Sequence, residues 1–183
     1  MKLEPSKIEG SRVYLREANL DDCKTFAEWE TIPDVTEFFT ISKGRDYAEV
    51  SEEFLNRHND DDKIEIAICL KEDDSLIGRI YISDINRHYD SMDITRIYIA
   101  DKNMRGRGLG RDALRCCLKL GFEEMGLERI TLDYFTGNDT ARDLYLKEGF
   151  VPEGCMRHGG KKDGHYIDLN LMSILRKEYF EKR

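Results

Sequence analysis

Apolar positions in the first hundred residues follow patterns that predict β-strands. Polar and apolar residues alternate over Arg12–Glu17, which is typical of a strand with one buried face. Three longer apolar segments follow at 63–70, 75–86 and 91–100, and a polar turn joins the first two. The first half of the chain is therefore expected to supply four strands.

Two helices are predicted between the first of these strands and the second. Residues 19–30 have the composition of a short helix with Asn19 or Asp21 as its N-cap. After Gly44, apolar residues recur at helical spacing until a run of three aspartates ends the pattern in solvent. Residues 31–40 lie between the two helices and are aromatic and irregular, so no regular element is expected there.

The second half of the chain alternates helix and strand. Apolar residues at three- and four-residue spacing predict an amphipathic helix over 110–125, and the next strand is predicted at Arg129–Phe135. A second helix is predicted from Asn138 as N-cap to Gly149 as the residue that ends it. Residues 150–183 are predicted to form a long hairpin and a basic, aromatic tail. This order of elements predicts a mixed α/β or α+β sheet.

Composition narrows the class of protein. An apolar share of 40% in 183 residues is enough for one ordinary globular core. No apolar run approaches the ~18 residues that span a bilayer, and residues 1–10 lack the apolar run of a signal peptide. A cytoplasmic protein without membrane contact is therefore expected. The odd number of cysteines and the absence of metal-ligand spacing argue against a disulfide framework and a metal site.

Charge is distributed unevenly between the two halves of the chain. Residues 1–90 hold 22 acidic and 12 basic side chains, whereas residues 91–183 hold 15 acidic and 17 basic side chains. Nucleic acid is excluded as an expected partner, because phosphate binding needs a basic face. The acidic half is compatible with a cationic partner and equally with a surface that only aids solubility.

The segment Met104–Leu114, "MRGRGLGRDAL", has the properties of an anion site. It follows a predicted strand and opens the amphipathic helix, where the first N–H groups lack partners and the helix dipole is positive. Glycine permits positive φ and close approach of a phosphate. The P-loop ending and the dinucleotide fingerprint both fail to match this spacing. A flexible glycine turn with basic side chains remains the alternative. The segment's glycines and arginines are Gly106, Gly108, Gly110, Arg105, Arg107 and Arg111.

Two motifs in this order resemble the GNAT superfamily of N-acetyltransferases. "RGRGLG" is similar to the family signature Arg/Gln-x-x-Gly-x-Gly/Ala, and "NDTARDLYLKEGF" matches Asn-x-x-Ala-x-x-Leu-Tyr-x-x-x-Gly-Phe at every fixed position. Residues 153–175 further resemble the branch that includes ribosomal-protein N-terminal, spermidine and aminoglycoside acetyltransferases. Many members carry proline in the loop before the glycines, where this chain has Lys102.

The resemblance implies a fold and a division of the chain. The expected class is α+β (mixed α/β), with the GNAT fold: a central, mostly antiparallel sheet that splays in a V and is flanked by helices. Residues 1–183 would form one domain. Within it, 1–60 would supply the acceptor-side strand and helices, 61–150 the acetyl-CoA-binding core, and 151–183 the C-terminal hairpin and tail.

The resemblance also implies an activity and a donor. An acyltransferase of this family moves the acetyl group of acetyl-CoA to a primary amine by direct attack in a ternary complex, without a metal. The pantetheine arm would pair with the backbone of Ile99 and Ala100. Asn138 would contact the same arm, although it is also explained as a helix cap. The phosphates would rest on Arg105, Gly106, Arg107, Gly108, Leu109, Gly110 and Arg111.

Two residues are implied to carry the proton transfers. Tyr145 matches the family tyrosine whose hydroxyl lies near the thioester sulfur, where a phenol can protonate the leaving thiolate. Asp93 lies on the strand that borders the cleft and is a candidate base, although solvent can fill that role and a solvated strand residue is the simpler explanation. For Tyr145 the alternative is a core aromatic that packs on Phe150.

The acceptor stays open at this level. The first helical region walls the acceptor cleft in similar proteins, so Glu28, Glu37, Phe38 and Phe39 are candidate acceptor contacts, with Glu30 as a further carboxylate. A polyamine, an aminoglycoside or amino sugar, and a peptide N-terminus all present a suitable amine. Transfer of another acyl group, or a non-catalytic CoA-binding sensor, are the alternative functions. Dimers are common among similar proteins, and the late hairpin is a candidate interface for a homodimer.

Overall fold

A single eight-stranded sheet forms the centre of the protein in a computed structural model that describes residues 7–40 and 44–182. The strand order is β1-β2-β3-β4-β5-β6-β8-β7, and every neighbouring pair is antiparallel except β5 and β6. The strands are β1 (Lys7–Glu9), β2 (Val13–Glu17), β3 (Ile64–Leu70), β4 (Leu76–Asn86), β5 (Ser91–Ile99), β6 (Arg129–Phe135), β7 (Val151–Lys162) and β8 (His165–Leu175).

Helices cover both faces of this sheet. α4 packs with the strands in the main apolar core, whereas α1 and α3 cover a smaller core on the opposite face. α4 continues without interruption into a π-helical turn at Leu120–Glu124, and a short 3₁₀ turn at Lys102–Met104 precedes the glycine segment. The helices are α1 (Asp22–Glu30), α2 (Pro33–Thr36), α3 (Tyr47–His58), α4 (Leu109–Lys119), α5 (Asp139–Glu148) and α6 (Arg176–Glu181).

The sheet opens between β5 and β6. The two parallel strands pair at only three positions, ending at Asp93 and Thr131, although β5 runs on to Ile99 and β6 to Phe135. Along its other edge β6 stays fully paired with β8 over its whole length. The mostly antiparallel sheet with one opened parallel pair confirms the predicted fold class, and it places the vertex of the V at Asp93.

The last hairpin contains an irregular strand at one end of the sheet. β7 pairs with β8 in three short runs, because the register shifts between Pro152 and Gly154 and again between Met156 and Gly160. His158, within the second break, adopts a positive φ of 56°. Nearly every residue of β7 is exposed. The turn between β7 and β8 contains only Asp163 and Gly164.

Three element predictions were wrong. Residues 31–40 contain the short helix α2, which begins at Pro33 because the fixed φ of proline suits the first helical turn. The tail contains α6, whose Glu178 side chain accepts the N–H of Leu175 and so caps the helix start. The strand β1 was not predicted, because its three residues give too short an alternation to recognise, with Ile8 alone buried.

The helix caps are more consistent with the sequence. Asp21 occupies the N-cap position of α1 without a side-chain cap, whereas the Oδ1 of Asn19 accepts the N–H groups of Asp21 and Asp22 at 2.9 and 3.2 Å. Asn138 caps α5 by accepting the N–H of Ala141 at 3.1 Å. Gly149 ends α5 with a φ of 105°, a conformation that favours glycine.

Candidate active site

The glycine segment forms a loop that only glycine adopts without strain. Gly106 and Gly108 have φ values of 72° and 80°, in the left-handed region. Gly108 directly precedes α4, which therefore begins without a side-chain cap. The backbone can turn into α4 in this way because both positions are occupied by glycine.

Six backbone N–H groups at this turn lack an acceptor. Within residues 7–40 and 44–182, no backbone or side-chain oxygen accepts from the amides of residues 106–111. A Cβ built on Gly106 would meet no heavy atom within 4 Å, so the space beside this backbone is open. Unpaired amides at the positive end of a helix, with free space beside them, fit a phosphate group.

The arginines of this segment have different roles. Arg105 donates to the carbonyls of Ile99 and Ala100 at 3.0 and 3.1 Å, which holds the end of β5 against the loop. Arg111 bonds to the buried carboxylate of Glu148 on α5. The guanidinium of Arg107 contacts no acceptor in the described part of the chain. Arg107 is therefore the loop arginine whose charge is available to a phosphate.

One carboxylate fixes the loop's helix to the turn between β1 and β2. Asp112 on α4 accepts the backbone N–H groups of Ser11, Arg12 and Val13 at 3.1, 2.7 and 3.0 Å. Arg12 in turn donates its guanidinium to the carbonyl of Arg107. Burial alone would raise the pKa of Asp112, but the three backbone donors outweigh it and lower this pKa. This contact could not be predicted from the sequence, because about a hundred residues separate its two sides.

Replacing Asp112 by asparagine is expected to lower the free energy of unfolding by about 1–3 kcal/mol at pH 7, because charge-assisted hydrogen bonds are lost. A lowered folded-state pKa gives stability that is present above the unfolded pKa of about 3.9 and is lost as pH falls through the folded value. Urea denaturation at pH 7 and pH 3 should therefore show a difference from wild type that shrinks at pH 3. Replacement of the exposed Asp143 on α5 by asparagine is the control. An equal difference in unfolding free energy between Asp112→Asn and wild type at both pH values would contradict the role of the charge.

Tyr145 lies beside the opening of the sheet. It is 7% exposed and packs against Tyr134 and Phe150 with ring centroids 6.1 and 5.8 Å away. Burial raises the pKa of Tyr145, and the charges of Asp133 and Asp93 raise it further. The phenol therefore keeps its proton at neutral pH, as a general acid must. Its packing on Phe150 also matches the core role that the sequence left open, and one side chain can serve both.

Asp93 sits at the vertex and is held by hydroxyl groups. Its carboxylate accepts from Thr131 at 2.7 Å and from Thr95 at 3.1 Å. The hydroxyl of Thr95 lies 2.7 Å from that of Ser83 on β4, so a polar chain crosses three strands. Burial raises the pKa of Asp93, while its two hydroxyl donors oppose this shift. The structure thus brings Asp93 and Tyr145 into one electrostatic environment.

A second carboxylate in the V was missed by sequence reasoning. Asp133 lies on β6 two residues beyond Thr131, past the last pair with β5. Burial raises the pKa of Asp133 to about 6, and the charge of Asp93 adds to the increase. The alternation of β6 was the available signal, because it places Asp133 on the same face as Thr131.

The backbone predicted to receive the pantetheine arm is partly engaged. The N–H of Ala100 donates to Ile77 at 2.9 Å, and the carbonyls of Ile99 and Ala100 accept from Arg105. The edge of β5 that faces the V between 94 and 98 lies beyond its pairing with β6. A role for Ile99 and Ala100 in holding the arm stays a prediction.

The predicted acceptor contacts separate into two groups. Phe39 packs against Tyr98 with centroids 5.5 Å apart, and Glu37 lines a cavity of about 590 Å³. Glu28 and Phe38 are exposed, and neither lines this cavity. The cavity is lined by Glu30, Thr31, Pro33, Asp34, Thr36, Glu37, Gly44, Lys162 and Asp163. Residues 41–43, next to Phe39 in the chain, lie outside the described residues.

Glu30 is not an available acceptor contact, because it belongs to a buried ionic cluster. Arg79 is fully buried and donates to both oxygens of Glu65 at 2.9 and 2.8 Å and to Glu30 at 3.2 Å. Arg45 also binds the Glu30 carboxylate, with 2.7 Å between Nη2 and Oε1. This cluster joins α1 to β3 and β4.

The sheet opens beside a loop of unpaired amides and beside a buried tyrosine, an arrangement that fits an acyltransferase cleft. The family described as "Acetyltransferase (GNAT) domain" matches residues 12–151. The chain therefore belongs to the GNAT acetyltransferase family and is an N-acetyltransferase, as its two motifs predicted. No helix in the described ranges combines the length and apolarity needed to cross a bilayer.

Similar proteins support this membership. The uncharacterized N-acetyltransferase p20 of Bacillus licheniformis is 26% identical over 172 residues, which cover 92% of this chain and 95% of p20. The putative ribosomal N-acetyltransferase YdaF of Bacillus subtilis is 30% identical over 107 residues, covering 58% of this chain and 57% of YdaF. The crystal structure of spermidine N-acetyltransferase from Vibrio cholerae with CoA and spermine superposes with a TM-score of 0.84 at 22% identity, covering 92% and 98% of the two chains.

Proposed function

We propose that this protein transfers the acetyl group of acetyl-CoA to a primary amine by direct attack in a ternary complex. The observation that carries the proposal is the set of six amides at 106–111 that find no acceptor among the described residues. They lie at the start of α4 and follow β5, one arm of the V, after a short 3₁₀ turn. The crystal structure of the Vibrio cholerae relative contains CoA, which supports CoA as the donor's carrier.

The residues of the cleft divide the work in this proposal. The amides of 106–111 and the guanidinium of Arg107 hold the phosphates, and the free edge of β5 pairs with the pantetheine arm. Unpaired backbone N–H groups on that edge can stabilise the oxyanion of the tetrahedral intermediate. Tyr145 donates its proton to the leaving thiolate. Asn138 lies at the start of α5, where its amide can reach the same arm while its oxygen caps the helix.

The acceptor we propose is a small polycationic amine of the polyamine class. Besides Glu30, which Arg45 and Arg79 already bind, three exposed carboxylates line the 590 Å³ cavity against one lysine, which favours a cationic ligand. Spermine is bound in the Vibrio cholerae structure, which points to the same class. A peptide N-terminus is the second candidate, favoured by the similarity to YdaF. An acetylation assay with spermidine and with short peptides separates the two.

The glycine loop offers a matched test of donor binding. Gly106 and Gly126 have nearly the same φ, 72° and 70°, and a Cβ at either would meet no heavy atom within 4 Å. Alanine at either position therefore costs a similar backbone strain of about 1 kcal/mol. Gly106→Ala is expected to raise the dissociation constant of acetyl-CoA about tenfold, because a methyl group keeps the phosphates from the backbone, and Gly126→Ala is expected to leave it unchanged. Isothermal titration measures both.

The same titration, together with assays of acyl transfer, distinguishes the alternatives. An absence of acetyl-CoA binding to the wild-type protein at high micromolar concentration would overturn the proposed function. Binding without acetylation of any amine in a panel would indicate a CoA sensor. Succinyl-CoA serves as the alternative donor, and faster transfer from it than from acetyl-CoA would indicate a different acyl group.

A further inference from the structure

We propose that the carboxylate of Asp133 takes the proton from the attacking amine, and that Asp93 is a positioning residue for it. This inference rests on the proposed acetyl transfer and assigns a role that the sequence had offered to Asp93. It follows from where the two carboxylates lie in the V and from what already occupies their oxygens.

Asp133 and Tyr145 approach the opening from opposite faces of the sheet. Leu132 and Tyr134, the neighbours of Asp133, pack into the main core with α4 and α5. Since side chains alternate along a strand, Asp133 lies on the other face of β6. Tyr145 belongs to the main core but senses the charge of Asp133. An acid on one side of the V and a base on the other suit a thioester between them.

The oxygens of Asp133 are available, whereas those of Asp93 are committed. Both oxygens of Asp93 accept hydroxyl groups, from Thr95 and Thr131. Among the described residues, no N–H or O–H donates to the carboxylate of Asp133. A base needs a free lone pair within reach of the substrate proton. Asp133 meets this condition, and Asp93 would first have to release a threonine.

The groups around Asp133 set its basicity. Asp93 faces it from β5 and Tyr145 from α5, and the charge of Asp84 on β4 acts on Asp93. The β8 residues in register with this part of β6, from Leu169 to Ser173, are uncharged. Burial and Asp93 together raise the pKa of Asp133 to about 6. A carboxylate with this pKa is ionised at neutral pH and is more basic than an ordinary aspartate, which suits a general base.

The proton balance is simple. Asp133 takes one proton from the ammonium form of the acceptor, which frees the nitrogen lone pair. The nitrogen forms a bond to the thioester carbonyl carbon, and the carbon–sulfur bond breaks. Tyr145 gives its proton to the thiolate, and the second proton lost from nitrogen restores the phenol. The products are the acetamide, the free thiol and one proton, which Asp133 returns to solvent.

The test compares pH profiles of kcat/KM for spermidine in wild type and Asp133→Asn. Wild type should rise through about pH 6, where Asp133 ionises, and then stay level. The variant lacks the base and reacts only with the neutral amine, whose conjugate acid has a pKa of about 10. Its kcat/KM should therefore rise about tenfold per pH unit from pH 6 to 9. Its loss should be about 100-fold or more at pH 7 and should shrink steadily at higher pH.

Asp93→Asn gives the readout that separates positioning from a merely structural role. Removing the charge of Asp93 lowers the pKa of Asp133, so the acidic limb of the profile should move to lower pH while the level region remains. A structural role alone would reduce activity without moving this limb. Asp133→Glu retains a carboxylate and should keep the level region of the profile. The control is Asp143→Asn, at an exposed position of α5, which should leave the whole profile unchanged.

The outcomes are distinguishable from failure of the proposed function. Acetyl-CoA titration of every variant establishes that the donor site is intact. A level pH profile of kcat/KM in Asp133→Asn would overturn the inference while acetyl transfer itself stands. So would a profile in which kcat/KM of Asp93→Asn, and not of Asp133→Asn, rises tenfold per pH unit. If Asp133→Asn does not bind acetyl-CoA, Asp133→Glu provides the test. A tenfold rise of kcat/KM per pH unit in Asp133→Glu would mean that its carboxylate does not act as a base, and would overturn the inference as well. No transfer by wild type would instead overturn the function on which the inference rests.

Discussion

Replacing Tyr145 by phenylalanine is expected to lower kcat by about 100-fold or more, in the range that general acid catalysis contributes. The ring contacts with Tyr134 and Phe150 survive, because they involve the aromatic face and not the hydroxyl. The thiolate would then leave without a proton from the protein. Steady-state kinetics with a saturating amine measure kcat, and isothermal titration should show the dissociation constant of acetyl-CoA within about threefold of wild type.

Tyr14→Phe is the matched control for this variant. Tyr14 is also buried, at 6% exposure, and its hydroxyl bonds to Asp74 at 3.0 Å. It lies on β2, which β3 and β4 separate from the opening between β5 and β6. Its removal should leave turnover unchanged. If Tyr145→Phe kept kcat within about threefold of wild type, the assignment of Tyr145 as the acid would be wrong. Tyr145 would then be a packing residue only.

Replacing Arg79 by methionine is expected to cost about 3–5 kcal/mol of folding free energy, because it removes the buried partner that binds both oxygens of the Glu65 carboxylate. Glu65 keeps only Arg57, which donates at 2.7 Å from the edge of the cluster. A domain of this size has roughly 5–15 kcal/mol in total, so the loss is a large share of its stability. Urea denaturation at pH 7 measures it.

A second arginine–glutamate pair provides the control for burial. Arg129 binds Glu153 through two bonds of 2.7 and 2.5 Å, a geometry similar to that of Arg79 and Glu65, but both side chains are one-third exposed. Arg129→Met should cost no more than about 1 kcal/mol. The double variant Arg79→Met/Glu65→Met should recover part of the folding free energy lost in Arg79→Met, because the Glu65 charge is removed together with that of Arg79. Equal losses for both arginine variants would show that burial is not the cause.

The glycine loop and the bounds of α5 could be predicted from the sequence because their signals are local. The glycines at 106 and 108 encode the loop by their positive φ, and the start of α4 follows directly from it. Asn138 and Gly149 bound α5 by short-range capping. Such features need only a window of about ten residues. The motif that places Tyr145 is of the same kind.

The buried ionic cluster around Arg79 and the position of Asp133 could not be predicted in the same way. Arg79 occupies a polar position in an alternating strand, which usually means solvent exposure, yet α1 covers it with a carboxylate 49 residues away. Asp133 becomes notable only because β5 leaves β6 one pair after Met92. The divergence of two strands is a tertiary property. No composition or period along either strand encodes it.

The broken pairing of β7 has a consequence for behaviour at high concentration. A straight, exposed strand of twelve residues at a sheet end would be a template for copies of itself. Pro152 lacks a donor, and the shifts at Gly154 and Gly160 interrupt the ladder, so no uninterrupted run of regular pairing exceeds three residues. The hairpin can thus leave Met156 and Tyr166 in solvent without inviting fibrous self-association.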